Sequence, residues 1–224
     1  MIYLTGDIHG DKSRFQKTGR VRLKKGDTLL ICGDFGFVWD GTKAEARALK
    51  WIGRRRYHVL FVDGSNENHK LLNNYPEEEA FGGKVRRISG RLCLMERGEV
   101  YEIEGKKIFA FGGGDSLERY SRREEEQFLL PSDGEIANGW HNLERCGNQV
   151  DLVVTHDAPA KVRRFIENGG IDEMTHLHAF LDEVREKVSF CQWYFGKYHC
   201  NKRIPPYFNI LFTNIVKFEG KPKA

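Results

Sequence analysis

Several short apolar runs in this chain stop abruptly at polar clusters, and that pattern most restricts what it can become. Ile2–Thr5 stops at Gly6-Asp7-Ile8-His9, and Thr28–Cys32 stops at Gly33-Asp34. His58–Val62 stops at Asp63-Gly64-Ser65-Asn66, and Asp151–Thr155 at His156-Asp157. Short apolar runs bounded by turn residues read as buried central strands. Thr42–Arg56, rich in Ala, Glu, Lys and Arg, lies between the second and third runs and reads as a helix. Strand, helix, strand at this spacing predicts a parallel α/β unit. In such sheets ligands bind outside the carboxyl ends of the strands, which is where these polar clusters fall.

The middle of the chain changes character. Val85–Ile88, Arg91–Met95, Val100–Ile103 and Lys107–Phe111 are closely set strand candidates punctuated by Gly90, Gly98 and Gly105, and they predict an antiparallel meander. Helical composition returns at 119–127 and Asp133–Arg145, then at Ala160–Glu167 and Thr175–Lys187, with Thr175 as N-cap. Phe190–Phe195 reads as a strand, its Trp193-Tyr194-Phe195 segment in the core, and Tyr207–Phe218 supplies one or two more. No repeat, low-complexity linker or composition break divides the 224 residues. The expectation is one domain over residues 1–224, with mixed sheets covered by helices.

Composition sets outer limits. Lys and Arg number 36 against 32 Asp and Glu, a formal charge of +4, which suits an anionic substrate but is too weak to argue for nucleic acid alone. Five scattered cysteines with no C-x-x-C pair argue for reduced thiols rather than disulfides or a zinc knuckle. The N-terminus lacks a signal-peptide pattern, and no run of about 18 apolar residues suggests a membrane span. Cytoplasm is the expected compartment.

The strand ends carry the chemistry. Asp7 and His9 are two apart, so in an extended segment both side chains point one way. A carboxylate oxygen and an imidazole nitrogen together suit Mn, Fe or Zn. Asp34, His156 and His199 also follow predicted strands, in one order along the chain. Each alone is a common coincidence; their shared placement is what points to a metal site.

That order resembles the signature of the calcineurin-like metallophosphoesterases: D-x-H, G-D, G-N-H-[ED], a histidine, then G-H-x-H. Gly6-Asp7-Ile8-His9-Gly10 fits the first element and Gly33-Asp34 the second; Thr155-His156-Asp157-Ala158-Pro159 resembles the fourth and Gly196-Lys197-Tyr198-His199 the fifth. The resemblance runs from residue 1 to about 218. It implies the family's four-layer α/β/β/α sandwich, with two packed mixed sheets flanked by helices. It also implies a pair of metal ions clamping a phosphate: one held by Asp7, His9 and His199 with Asp34 bridging, the other by Asp34, His156 and two more ligands.

Those two ligands are altered here. In the gapless register Ser65 stands where the ligand asparagine belongs, Asn66 where the catalytic histidine belongs, and Lys197 replaces the first histidine of G-H-x-H. A one-residue shift would instead make Asn66 the ligand and put Glu67 in the histidine position; the gapless register is preferred because Glu67-Asn68 and Leu71-Leu72-Asn73 then fall in place. Lys197 would neutralise phosphate as a point charge. Arg122, in a glycine-rich stretch starting at Gly112, is a candidate for bidentate phosphate binding. His69 and Arg54-Arg55-Arg56 read as exposed helix residues, and His58, His141, His176 and His178 show no useful spacing.

The expected function is a metal-dependent phosphoesterase acting on a phosphate mono- or diester, with one or two divalent ions and a modified second site. Asn66 and Lys197 are its candidate catalytic residues. The alternative is a degenerate, weakly active or inactive relative that binds a phosphorylated ligand or a protein. A nuclease reading rests only on the mild basicity and Arg54-Arg55-Arg56.

Overall fold

In each central strand, successive side chains point to opposite faces, and that alternation sorts them into separate cores. A computed structural model of the chain describes residues 1–15, 21–114, 130–167 and 174–220. The strands β1 (Ile2–Thr5), β2 (Thr28–Cys32) and β3 (His58–Val62) run parallel and in register. Their residues Leu4, Leu30 and Leu60 face a second sheet, while Tyr3, Ile31 and Phe61 face outward under helix α1 (Lys43–Gly53). The same split occurs in β8 (Lys106–Phe111), β9 (Leu152–Thr155) and β10 (Gln192–Phe195), which run parallel. Ile108, Ala110 and Val154 face inward; Phe109, Val153 and Trp193 face out. Helices α3 (Asp133–Arg145), α4 (Ala160–Ile166) and α5 (His176–Lys187) cover that outer face with Leu143, Val162 and Phe180. Two sheets with a core between them and a helical layer outside each make the expected four-layer α/β/β/α sandwich.

Both sheets have a parallel centre and antiparallel edges. Among the described residues the first sheet has seven strands, with β6 (Leu92–Met95), β5 (Gly83–Ser89) and β4 (Glu77–Ala80) beyond β3, and β13 (Val216–Lys217) beside β1. The second has six, with β7 (Glu99–Ile103) beside β8, and β12 (Phe208–Ile210) then β11 (Lys202–Ile204) beyond β10.

The predicted meander does not exist as one unit. β5 and β6 form a hairpin in the first sheet, β7 and β8 a hairpin in the second, and β6 pairs parallel with β3. The chain changes sheets at Glu96-Arg97-Gly98. There the buried Arg97 guanidinium donates to Asp63, Nε to Oδ2 at 3.1 Å, fastening the crossing to the end of β3. Helix starts follow local capping: Thr42 caps α1, and Ser132 with Glu135 forms a capping box on α3. The predicted helix at 119–127 lies outside the described residues.

The topology brings the carboxyl ends of β1, β2 and β3 in one sheet and of β8, β9 and β10 in the other to the same edge of the sandwich. None of the described helices is long and apolar enough to cross a membrane.

Candidate metal centre

Asp7 is the centre of the site. It leaves β1 fully buried, and its carboxylate accepts the backbone N–H of Lys197 at 3.0 and 3.1 Å. His199 Nε2 lies 3.1 Å from Asp7 Oδ2, and His9 Nε2 lies 3.7 Å from the same oxygen. The two histidine Nε2 atoms stand 2.9 Å apart. Among the described residues, Asp7, His9 and His199 are the group whose ligand atoms all lie within 4.8 Å of one another. The sequence interval from 9 to 199 is spanned because β1 and β10 end on the same edge of the two sheets.

The backbone is bent to make this possible. His9 (φ 49°), Asp34 (φ 43°), Lys197 (φ 64°) and His199 (φ 45°) all adopt left-handed conformations without being glycine. Each costs roughly 1–3 kcal/mol, and such residues gather where surrounding structure holds a functional geometry. Gly33 (φ 93°) turns the chain directly before Asp34.

Asp34 links the two halves of the site. Its Oδ2 is 3.9 Å from His9 Nδ1, and its Oδ1 is 3.5 Å from His156 Nε2. Asn66 donates to it twice, from its backbone N–H to Oδ1 and from its side-chain Nδ2 to Oδ2, both at 2.8 Å. His156 is fully buried; its Nδ1 sits 3.2 Å from the Cys32 carbonyl, and its Nε2 has no hydrogen-bond partner. A buried imidazole nitrogen left unpaired is costly, and here it is aimed at Asp34. Lys197 projects its ammonium to within 3.2 Å of Asp157 Oδ2. The structure therefore gathers Asp7, His9, Asp34, Asn66, His156, Lys197 and His199 at one strand-end edge. Arg122 lies outside the described residues.

Protonation follows from these contacts. Burial would raise the Asp7 carboxyl, but hydrogen bonds from His199 and His9, the nearby His156 and the Lys197 N–H hold it well below the usual carboxylate range. The same bonds raise His9 and His199 above ordinary histidine values, against the effect of burial. Two converging imidazole nitrogens, a buried ionised carboxylate and an unpaired imidazole nitrogen are a donor set that fits a divalent cation. Mn, Fe and Zn all accept such oxygen and nitrogen ligands.

Supporting residues escaped the sequence reading. Arg14, in a 3-10 turn at Lys12–Phe15, donates to the Asp7 carbonyl at 2.8 Å, to Thr5 Oγ1 at 3.0 Å, and to the Phe212 carbonyl. The Phe212 ring in turn stacks on His199, with centroids 4.9 Å apart. Nothing in local sequence singles out Arg14, because its partners are 7 to 198 residues away. Glu67 is fully buried and accepts from the Phe35 N–H at 2.6 Å and from Gly36, holding the loop after Asp34; burial, then the Asp34 charge, raises its pKa well above normal.

His69 is not the exposed helix residue the sequence suggested. It is buried at the first position of α2 (His69–Leu72), with Nδ1 3.8 Å from Asp63 Oδ2. It lines a cavity of about 310 Å³ with Arg97, Glu96 and Glu135. His178 also has a partner that sequence spacing did not disclose, Asp157 Oδ2 at 3.1 Å. Arg54 and Arg56 are exposed, while Arg55 is half-buried and lies over the Trp51 ring at 3.6 Å.

Comparison with known proteins agrees with this geometry. The model of the calcineurin-like phosphoesterase family matches residues 1–201. A search of curated proteins finds no match. Among solved structures, the phosphopantetheinyl hydrolase PptH from Mycobacterium tuberculosis aligns over 93% of this chain and 87% of its own, with a TM-score of 0.51 and 11% identity. At that identity the likeness is one of fold. A protein of unknown function from Aquifex aeolicus, AQ665, aligns over 85% of this chain and 87% of its own at 16% identity, with a TM-score of 0.35. With nine-tenths of its length matched by one family model and the candidate ligand residues gathered at one edge of a four-layer sandwich, the chain belongs to the calcineurin-like phosphoesterase family, which is associated in general with metal-dependent phosphoester hydrolysis.

Proposed function

We propose that this protein hydrolyses a phosphate mono- or diester with one firmly held divalent cation (Mn, Fe or Zn) and an altered second position. The observation that carries the reading is the convergence of Asp7, His9 and His199 within 4.8 Å on a buried, ionised carboxylate. Asp34 would complete the first site and His156 would face the second. A cation held there would acidify water and polarise a phosphoryl oxygen.

The chain's own groups divide the remaining tasks. Asp7 stays ionised, and so stays a ligand, because His9, His199 and the Lys197 N–H support its charge. Asn66 holds Asp34 in place and can offer an amide hydrogen bond to substrate, but it has no proton to give a leaving group. Lys197 supplies fixed positive charge for phosphate in the transition state, joined in this proposal by Arg122. Slow turnover follows, since a positioned general acid contributes about 10²–10⁴-fold. The substrate is a phosphorylated molecule of otherwise open class, and the proposed compartment is the cytoplasm.

The test is hydrolysis of aryl phosphate mono- and diesters with added Mn²⁺, beside an Asp34→Asn variant. Activity that disappears in Asp34→Asn supports the reading, and the monoester-to-diester ratio narrows the substrate. A folded protein with no activity above the variant overturns it. That result would favour the phosphate-binding alternative, for which the loss of an acid at Asn66 is the specific motive.

A further inference from the structure

Lys197 is the substitution that most changes this site, and its surroundings explain how a lysine can serve there. We propose that Asp157 is a positioning residue that holds the Lys197 ammonium where a second cation would otherwise be held, so that the two form one phosphate-binding unit. The inference rests on the one-cation reading above.

Asp157 follows His156 at the end of β9 and is fully buried. Both of its oxygens are engaged. Oδ1 accepts from Tyr198 OH at 2.9 Å and from the Ala158 N–H at 2.8 Å. Oδ2 faces His178 Nε2 at 3.1 Å and Lys197 Nζ at 3.2 Å. His178 is itself fixed, with Thr175 Oγ1 2.9 Å from its Nδ1 and Arg163 Nη1 3.0 Å from its Nε2. A buried carboxylate is tolerated only when paired and hydrogen-bonded, and this one is held by Tyr198, Ala158 and His178 as well as by Lys197. The lysine head is thus placed against a carboxylate that three other groups brace.

The other side of that head faces the candidate centre. A Cβ on Gly114 would lie 3.3 Å from Lys197 Nζ and 2.8 Å from His156 Cδ2. The ammonium and the imidazole edge thus flank the same spot, beside a loop where only glycine passes. The backbone N–H of Lys197 meanwhile bonds Asp7. Residue 197 spans from the first ligand to Asp157, and its side chain keeps 17% of its surface exposed. An ammonium carries three donors on a rotating head, so a carboxylate on one side fixes its place without closing it to a second anion.

The experiment is isothermal titration of inorganic phosphate into the full chain at saturating Mn²⁺, for the wild type, Lys197→Met, Asp157→Asn and the double variant, with Mn²⁺ affinity measured in each. The expected result is a loss of about tenfold or more in phosphate affinity for Lys197→Met. Asp157→Asn should lose several-fold, with no further loss when it is added to Lys197→Met, and Mn²⁺ affinity should be unchanged throughout. If Lys197→Met binds phosphate normally, the one-cation reading itself fails. If Lys197→Met weakens binding and Asp157→Asn does not, that reading stands and the positioning role is overturned. Additive losses in the double variant also overturn it. Should Asp157→Asn not fold, the ¹⁵N–¹H signal of the Lys197 ammonium in the Zn²⁺-loaded wild type decides. A slowly exchanging signal that shifts with phosphate supports the proposal; a freely exchanging one refutes it.

Discussion

Gly196→Ala probes how tightly the fold is drawn around Asp7. A Cβ at position 196 would fall 2.1 Å from Asp7 Oδ1 and 2.4 Å from the Cys32 carbonyl oxygen, against the 3.4 Å where ordinary contact begins. Asp7 has nowhere to go: it is fully buried between His9, His199 and the Lys197 N–H. Relief must come from the backbone at 196–197, and that motion breaks the N–H bond to Asp7 and drags His199 away from His9. Overpacking costs typically 1–3 kcal/mol, and a charge-assisted bond is worth about 1.5–3 kcal/mol. The expected loss of stability is therefore ~2.5–6 kcal/mol. Shifting groups that orient ligands costs about 10–100-fold in metal affinity, and the same is expected for Mn²⁺ here. Chemical denaturation and Mn²⁺ titration measure both quantities. Gly134→Ala is the matched control: its Cβ would meet nothing nearer than 3.9 Å, inside helix α3, so that variant should be neutral or stabilised by up to ~1 kcal/mol. A Gly196→Ala protein as stable as wild type, with unchanged Mn²⁺ affinity, would refute the packing argument.

Four further outcomes are expected. Mn²⁺ affinity should rise with pH by about tenfold per unit for each proton displaced, because His9 and His199 are raised by Asp7 and hold protons a cation must remove; a flat titration between pH 5 and 8 would count against these ligands. Without added metal the same pairs stabilise the fold most between the ordinary values of 3.8 and 6.5. The Asp7 contribution is lost as pH falls through its depressed value, and the histidine contribution is lost as pH rises through their raised ones; urea midpoints against pH should show that maximum weakened in His199→Gln. Arg14→Met should lower Mn²⁺ affinity about tenfold or more while circular dichroism stays native, since it frees the Asp7 carbonyl and the Phe212 loop together; unchanged binding would make Arg14 merely structural. Asn66→His, which restores a proton donor, should speed alkyl phosphates more than aryl ones, by about a hundredfold or more, and equal acceleration of both would contradict the assignment of Asn66.

The sequence discloses what repeats locally and hides what depends on distant partners. β1, β2 and β3 are visible because short apolar runs end in an adjacent glycine and aspartate, and the candidate ligands Asp7, His9 and Asp34 come with them. The split of the middle strands between two sheets is not visible, because hairpins β5–β6 and β7–β8 look alike in pattern and the crossing between them is fastened by Arg97 to Asp63, 34 residues away. His69 looks like an exposed helix residue, yet the same turn is buried beside Asp63. Asp157 enters the sequence reading only as the residue after His156 at a polar strand end; that it lies beside Lys197 appears only once β9 and β10 lie side by side. Arg14 carries no local signal for the same reason.

The central claim is that one cation is held at Asp7, His9, Asp34 and His199, with Lys197 in place of a second. Equilibrium dialysis of the purified protein against Mn²⁺, followed by a metal count per chain, tests it most directly. The account predicts one tightly held ion, absent in His199→Ala. Two tightly held ions, or none in a folded protein, would contradict it.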